Sequence, residues 1–419
     1  MKKYLGIFLA AVLCLMMAVA VSAADVYVND GGEGDGTSAE APLGSMTAAI
    51  EAVAAEGGTV HIVDTYTCPD QFVEPAHAGD IVITGGKYVF TNGSFNRWYL
   101  SGEGSTTFEN ITFEYGAGST SLFICQFNEI VFGEGVVFPD KFMSGEKEVT
   151  GKCYVVGGYQ WTKTHTEGKE YANLDEMIAD LGLATDKDSK ITVKSGKYWC
   201  LVGLCRGTAS ADCVFTGTSN ITVEGDVIID SAVYGGHVNG LATAGASVIN
   251  INGGTVADVR TSSDANYVSP VAGDVIVNVN GGMVTSLSMT NVLGKTEVNM
   301  NGGNIGQSTY AFDATLEEKK TSGETILNIA EGARALPGLA MSFSTVNGEV
   351  ASPVIPGIND DKEEETTASV TEVVETTAAP TVNEDGGENG GINPAVIGII
   401  AAIVVVIAIV VVVVTKKKK

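Results

Sequence analysis

Three stretches of the chain share one arrangement of apolar and polar positions. VININGGTV from Val248, VIVNVNGGMV from Val275 and TEVNMNGGNI from Thr296 alternate apolar and polar residues and then run into Asn-Gly-Gly. Aligned without a gap, Ile249, Val277 and Val298 form one apolar column, and Ile251, Val279 and Met300 a second. Asn250, Asn278 and Asn299 stand between them, Asn252, Asn280 and Asn301 stand after them, and Val256, Val284 and Ile305 follow the glycines. Successive side chains of a strand point to opposite faces, so each stretch reads as a short strand with one apolar face, ended by a glycine turn.

The first column extends to Ile191, Ile221 and Leu327, recurring at intervals of about 20 to 30 residues. A unit of that size, built of strands and glycine turns without a helix, cannot bury its apolar face alone and must stack on its neighbours. The expected fold is therefore all-β, a parallel β-helix or solenoid. Leucine-rich repeats would need regularly spaced leucines, and propeller blades a longer period. In this setting Asn252, Gly253, Asn280, Gly281, Asn301 and Gly302 read as a structural turn ladder rather than a ligand site.

Two segments depart from the strand pattern. In MTAAIEAVAAEGG, Met46, Ala49, Ile50, Val53 and Ala54 make one helical stripe ending at Gly57-Gly58, which suits a short helix capping the first coil. In NLDEMIADLG, Asn173 precedes Glu176 by three residues and Leu174, Met177, Ile178 and Leu181 form a stripe, the signature of a capped helix at a seam or insertion near 160–190.

The ends read differently again. Residues 1–24 have the charge, apolar run and small residues of a signal peptide. Residues 25–357 form the expected ectodomain, with its N-terminal cap in 25–60, and 358–391 form an acidic, Thr/Glu-rich segment expected to be a disordered stalk. Residues 392–415 carry an uncharged apolar run long enough for one transmembrane helix, and four lysines fill 416–419, so the expected topology is single-pass with the ectodomain outside and the C-terminus in the cytoplasm.

The opening DVYVNDGGEGDGTSAEAPLGSMTAAIEAVAAEGGTVHIVDTYT resembles the start of right-handed parallel β-helix proteins of the pectin-lyase-like superfamily. FENITF, IVFGEGVVF, ITVKSGKY, VYGG and NGGTV resemble phrases found in secreted or surface-anchored β-helix proteins of Gram-positive bacteria. The resemblance implies a right-handed coil and a surface setting. It does not imply an enzyme, because fold and function separate easily.

The formal net charge of −26 excludes a phosphate-neutralising surface, so nucleic acid is not an expected partner. The superfamily's hydrolases resemble one another in paired aspartates with Gly-His-Gly and Arg-x-Lys, and its lyases in acidic calcium ligands with a basic residue. This chain has Gly-Gly-His at Gly235–His237, no Arg-x-Lys, and four scattered arginines, Arg97, Arg206, Arg260 and Arg334. The histidines lack metal-ligand spacing, and no cofactor is expected beyond calcium, for which Asp30, Glu33 and Asp35 in DGGEGDG are the candidates. Six cysteines follow the leader and leave disulfides or buried thiols open. Aromatic rings beside polar groups suit stacking on sugars, which nominates Arg97, Trp98, Tyr99, Tyr159 and Trp161 for ligand binding. The expectation is a membrane-anchored, non-enzymatic, adhesin-like surface module binding glycan, matrix or neighbouring cells. The alternatives are a polysaccharide lyase or hydrolase with an atypical site, and a structural spacer of the envelope.

Overall fold

The column read from the sequence is a hydrogen-bonded ladder. Ile191 pairs with Ile221, then Ile249, Val277, Val298 and Leu327 follow in the same register, every pairing parallel. The computed structural model describes residues 24–350, apart from 69–70, 92–94, 117, 145–146, 162–168, 264–268, 290, 311–322, 334 and 336. Within them the ladder reaches back through Ile130, Thr106, Ile81 and Gly58 to Ala24, and forward to Val346.

A second long ladder stacks Phe72, Trp98, Phe123, Val155, Leu201, Val233, Val259 and Leu287, again parallel throughout. A third, short one joins Thr65–Cys68, Lys87–Phe90 and Thr112–Tyr115. The strands Lys141–Ser144 and Lys147–Thr150 form an antiparallel hairpin apart from these. The architecture is all-β and mostly parallel, with a few short helices.

The inward columns are aromatic in the N-terminal half and aliphatic in the C-terminal half. Phe108, Phe113, Phe123, Phe132 and Phe138 are buried and pack ring against ring at centroid distances from 4.7 to 6.0 Å. From Ile221 onward the same positions hold valine, isoleucine, leucine and methionine. Each such side chain contributes about 1.5–3 kcal/mol by leaving water, so the stack, rather than any single rung, holds the fold.

Helix α1, Met46–Val53, is capped by Ser45, whose hydroxyl accepts from the Ala48 N–H at 3.2 Å, and it buries Met46, Ala49, Ile50 and Val53. Helix α2, Leu174–Leu181, has the expected cap: the Asn173 side chain accepts from the Glu176 N–H at 2.9 Å, and Glu176 reaches back to the Ala172 N–H at 2.7 Å. Gly182 ends it in the left-handed region at φ 61°. Glu129–Phe132 and Lys152–Val156 both pair with Ser189–Val202, so the ladders run through this region unbroken and α2 belongs to an insertion. Helix α3, Pro337–Ala340, buries Leu339 near the last rungs.

The single-pass membrane topology is corrected. A spanning helix needs about 20 apolar residues, whereas α1 and α2 have 8 residues each and α3 has 4. Among the described residues no helix is long and apolar enough to cross a membrane. The segment 392–415 lies outside them, as do the expected leader up to residue 23, the stalk 358–391 and the tail 416–419. The membrane partner, the membrane localisation and the anchored-adhesin function that rested on the spanning helix are therefore not carried further. The cysteines resolve to the second of their two readings: Cys68, Cys125, Cys153, Cys200, Cys205 and Cys213 are all buried free thiols.

Candidate functional site

A groove of about 350 Å³ opens where the second ladder meets the insertion. One wall is a column of outward residues on adjacent rungs, Val73, Tyr99 and Ile124, stacked in register. Facing them are Met177 and Leu181 of α2, with Leu183 just beyond it. Ser101, Gln126, Tyr159 and Gln160 complete the lining, which among the described residues contains no charged side chain.

The rim at Gln126 is held in an uncommon backbone conformation. Gln126 and Phe127 are consecutive non-glycine residues at φ 51° and 66°, which costs on the order of 1 kcal/mol or more unless the surroundings impose it. Here they do: the Gln126 and Phe127 N–H groups donate to Gly158 and Gly157 carbonyls at 3.1 and 2.8 Å. The Asn128 amide donates to Cys125 O at 2.9 Å. Phe127 turns inward against the Tyr159 ring, 5.1 Å away, and Gln126 is left half-exposed at the groove.

The polar groups differ in how far they are committed. Gln160 is engaged twice, donating to Trp161 O at 2.6 Å and accepting from Arg206 at 3.2 Å. The Tyr99 and Ser101 hydroxyls and the Gln126 amide hold no side-chain hydrogen bond among the described residues. Burial pushes the Tyr159 hydroxyl up to about 12, so it remains a protonated donor at neutral pH.

Of the residues nominated from the sequence, Tyr99 and Tyr159 line this groove. Trp98 does not. It is fully buried, its ring 4.5 Å from Phe72 and 5.0 Å from Phe108, because adjacent strand residues face opposite ways and Tyr99 has the outward position. Arg97 lies outward, with its guanidinium 5.8 Å from the Phe95 ring. Trp161 is half-buried and donates to Tyr171 O at 3.2 Å, which ties it to the insertion. Val73, Ser101 and Gln126 carried no local signal, and Met177 and Leu181 only that of a helix stripe, since these residues meet through stacking of distant segments.

Behind the groove lies a sealed polar cluster. Glu74 and His77 have side chains 0% and 1% exposed, with Oε2 and Nε2 3.4 Å apart. Glu74 also accepts from Trp98 Nε1 at 3.3 Å, from the Thr106 hydroxyl at 3.1 Å and from the Ser101 N–H at 3.3 Å. The other His77 nitrogen donates to Gly79 O at 2.8 Å. A sealed carboxylate of this kind does not meet a substrate.

The calcium candidates are used separately. Asp30 accepts from the Thr67 N–H at 2.8 Å, and Asp35 accepts from the Thr37 N–H and hydroxyl at 3.0 and 2.7 Å, which lowers the Asp35 carboxyl. Glu33 forms an isolated backbone bridge with Leu43. Among the described residues no three groups converge as metal ligands.

The asparagines form two amide ladders. Asn278 donates to Asn250, Asn299 to Asn278, Asn328 to Asn299 and Asn347 to Asn328, at 2.7 to 2.9 Å. Asn280 donates to Asn252 and Asn301 to Asn280, both at 2.7 Å. Of the turn glycines, Gly254 and Gly282 take φ +73° and +69°; Gly253, Gly281 and Gly302 stack so closely that an added Cβ would stand 2.5 to 2.8 Å from the rung before.

Comparison with protein-family models, curated proteins and solved structures gives no match to this chain.

Proposed function

We propose that this is a non-enzymatic binding module on a right-handed parallel β-helix, and that the groove takes a short stretch of an uncharged glycan. The continuous parallel ladders and their 21- and 28-residue steps support the coil. The observation that carries the ligand is the lining: a tyrosine face at Tyr99, a protonated Tyr159, and the uncommitted Ser101 hydroxyl and Gln126 amide, with no charge among them.

Sugars present apolar C–H faces and a rim of hydroxyls, and such a surface matches both halves of that lining. The rungs and the strained Gln126 turn fix these groups before a ligand arrives, which lowers the ordering cost of binding. The test is calorimetric titration of the full chain with neutral hexasaccharides, cellohexaose and maltohexaose among them. Tyr99→Ala and Gln126→Ala should each weaken binding about tenfold, the equivalent of one lost stacking or hydrogen-bond contact. Binding unchanged in both variants would overturn the assignment.

A further inference from the structure

We propose that the buried Glu74–His77 pair is the positioning element of the groove, and that through it the groove's shape responds to pH. Three groove residues depend on Glu74 directly. Val73 is its chain neighbour, Tyr99 O accepts from the Glu74 N–H at 2.9 Å, and the Ser101 N–H donates to its carboxylate at 3.3 Å. The ligand-facing positions 73, 99 and 101 therefore converge on one residue, 73 and 99 through its backbone and 101 through its carboxylate, which water does not reach.

A buried carboxylate is held only while its hydrogen bonds and its counter-charge remain. The counter-charge is His77, linked to Glu74 at 3.4 Å. The other groups that face the pair are the Asp80 carboxylate beside His77, the Cys125 thiol beside Glu74, and the neutral Trp98 and Thr106. None of them is a second cation. Burial draws the His77 value down, but the Glu74 hydrogen bond and charge, Gly79 O and Asp80 more than offset it, leaving it raised.

The direction follows from that sign. A histidine raised on folding contributes stability that is complete below its ordinary value of ~6.5 and is lost as pH climbs through the folded value. Across that rise His77 becomes neutral and Glu74 loses the one cation that faces it among the described residues. The strands that carry Val73 and Tyr99 and the turn at Ser101 then loosen together.

This inference rests on the groove as a binding site, but its first test needs no ligand. Methyl NMR of the full chain follows Ile124, Met177, Leu181 and Leu183 with the His77 ring resonances across neutral and mildly alkaline pH. We expect the groove methyls to shift on the His77 titration curve, and His77→Gln to abolish that shift. Groove methyls that stay put while His77 titrates in the wild type, or that shift equally in His77→Gln, overturn the coupling. The wild-type measurement decides even where a variant fails to fold.

Titration with cellohexaose and maltohexaose at both ends of the range then separates the two ideas. Affinity lower by about tenfold on the alkaline side, as one charge-assisted contact predicts, extends the coupling to binding. No binding at any pH defeats the glycan reading and leaves the methyl result standing. Binding of equal strength at both ends defeats the coupling.

Discussion

At the scale of single residues, neighbouring positions have opposite duties. Trp98 and Tyr99 are adjacent, yet one fills the core and the other faces the groove. Trp98→Ala should cost ~3–5 kcal/mol of folding stability, as expected for a buried aromatic. Tyr99→Ala should leave the thermal midpoint nearly unchanged while weakening saccharide binding. Denaturant unfolding beside calorimetry checks both, and a reversal of the two effects would mean the strand is read on the wrong face. A second histidine supplies the acid counterpart of His77. His237 is buried and donates through Nε2 to Gly207 O at 2.8 Å; burial holds it down to about 4, against the smaller upward pulls of that bond and Asp175. The unfolded chain takes up that proton below ~6.5 and the folded chain does not, so stability should fall by ~3 kcal/mol between there and about pH 4. His237→Gln should flatten this acid arm without altering the alkaline one, measured as unfolding free energy against pH.

At the scale of elements, the amide ladder and the turn glycines set the register. Asn278 both donates to Asn250 and accepts from Asn299, so Asn278→Ala removes two hydrogen bonds and leaves neighbouring amides unpaired. It should cost ~1–3 kcal/mol, and more than Asn280→Ala in the exposed ladder, where water replaces the lost partners. Equal losses at the two positions would deny the half-buried ladder its role. This part of the fold was legible because period-two alternation running into Asn-Gly-Gly recurs at 248–256, 275–284 and 296–305, each copy matching the others without a gap although the loops between them differ in length; the column they form is the pairing register. The N-terminal rungs were less so. Their strands are mostly four or five residues long, their turns lack a common glycine motif, and their inward positions hold phenylalanine and tryptophan, residue types that mark binding faces as readily as cores. The groove was only half visible, through Tyr99 and Tyr159. Its remaining lining comes from four rungs and an insertion with a helix, and stacking brings these together where no local pattern could.

At the scale of the whole molecule, stability is carried by contacts between successive rungs, and the groove lies in the N-terminal half of the series. It draws on residues 73 to 183, whereas the regular ladder runs on from Ala246. Val277 and Val298 stand 21 residues apart on adjacent rungs, as do Asn278 and Asn299. Deleting residues 277–297 therefore places Val298 beneath Ile249 and Asn299 beneath Asn250, and Ile305 beneath Val256, so every facing type is preserved. In a chain whose rungs contact only their neighbours, such a deletion removes one rung's contribution and nothing else. The shortened protein should unfold a few degrees lower and bind cellohexaose or maltohexaose as the full chain does. Deleting 277–296 instead shifts the register by one residue, which turns each apolar column to the solvent face, and that variant should fail to fold. Circular dichroism melting of the two deletions gives the comparison. If both fold equally well, register is not what the asparagine and valine columns enforce; if the in-register deletion abolishes groove binding, the two halves of the ladder are coupled more strongly than nearest-neighbour stacking permits.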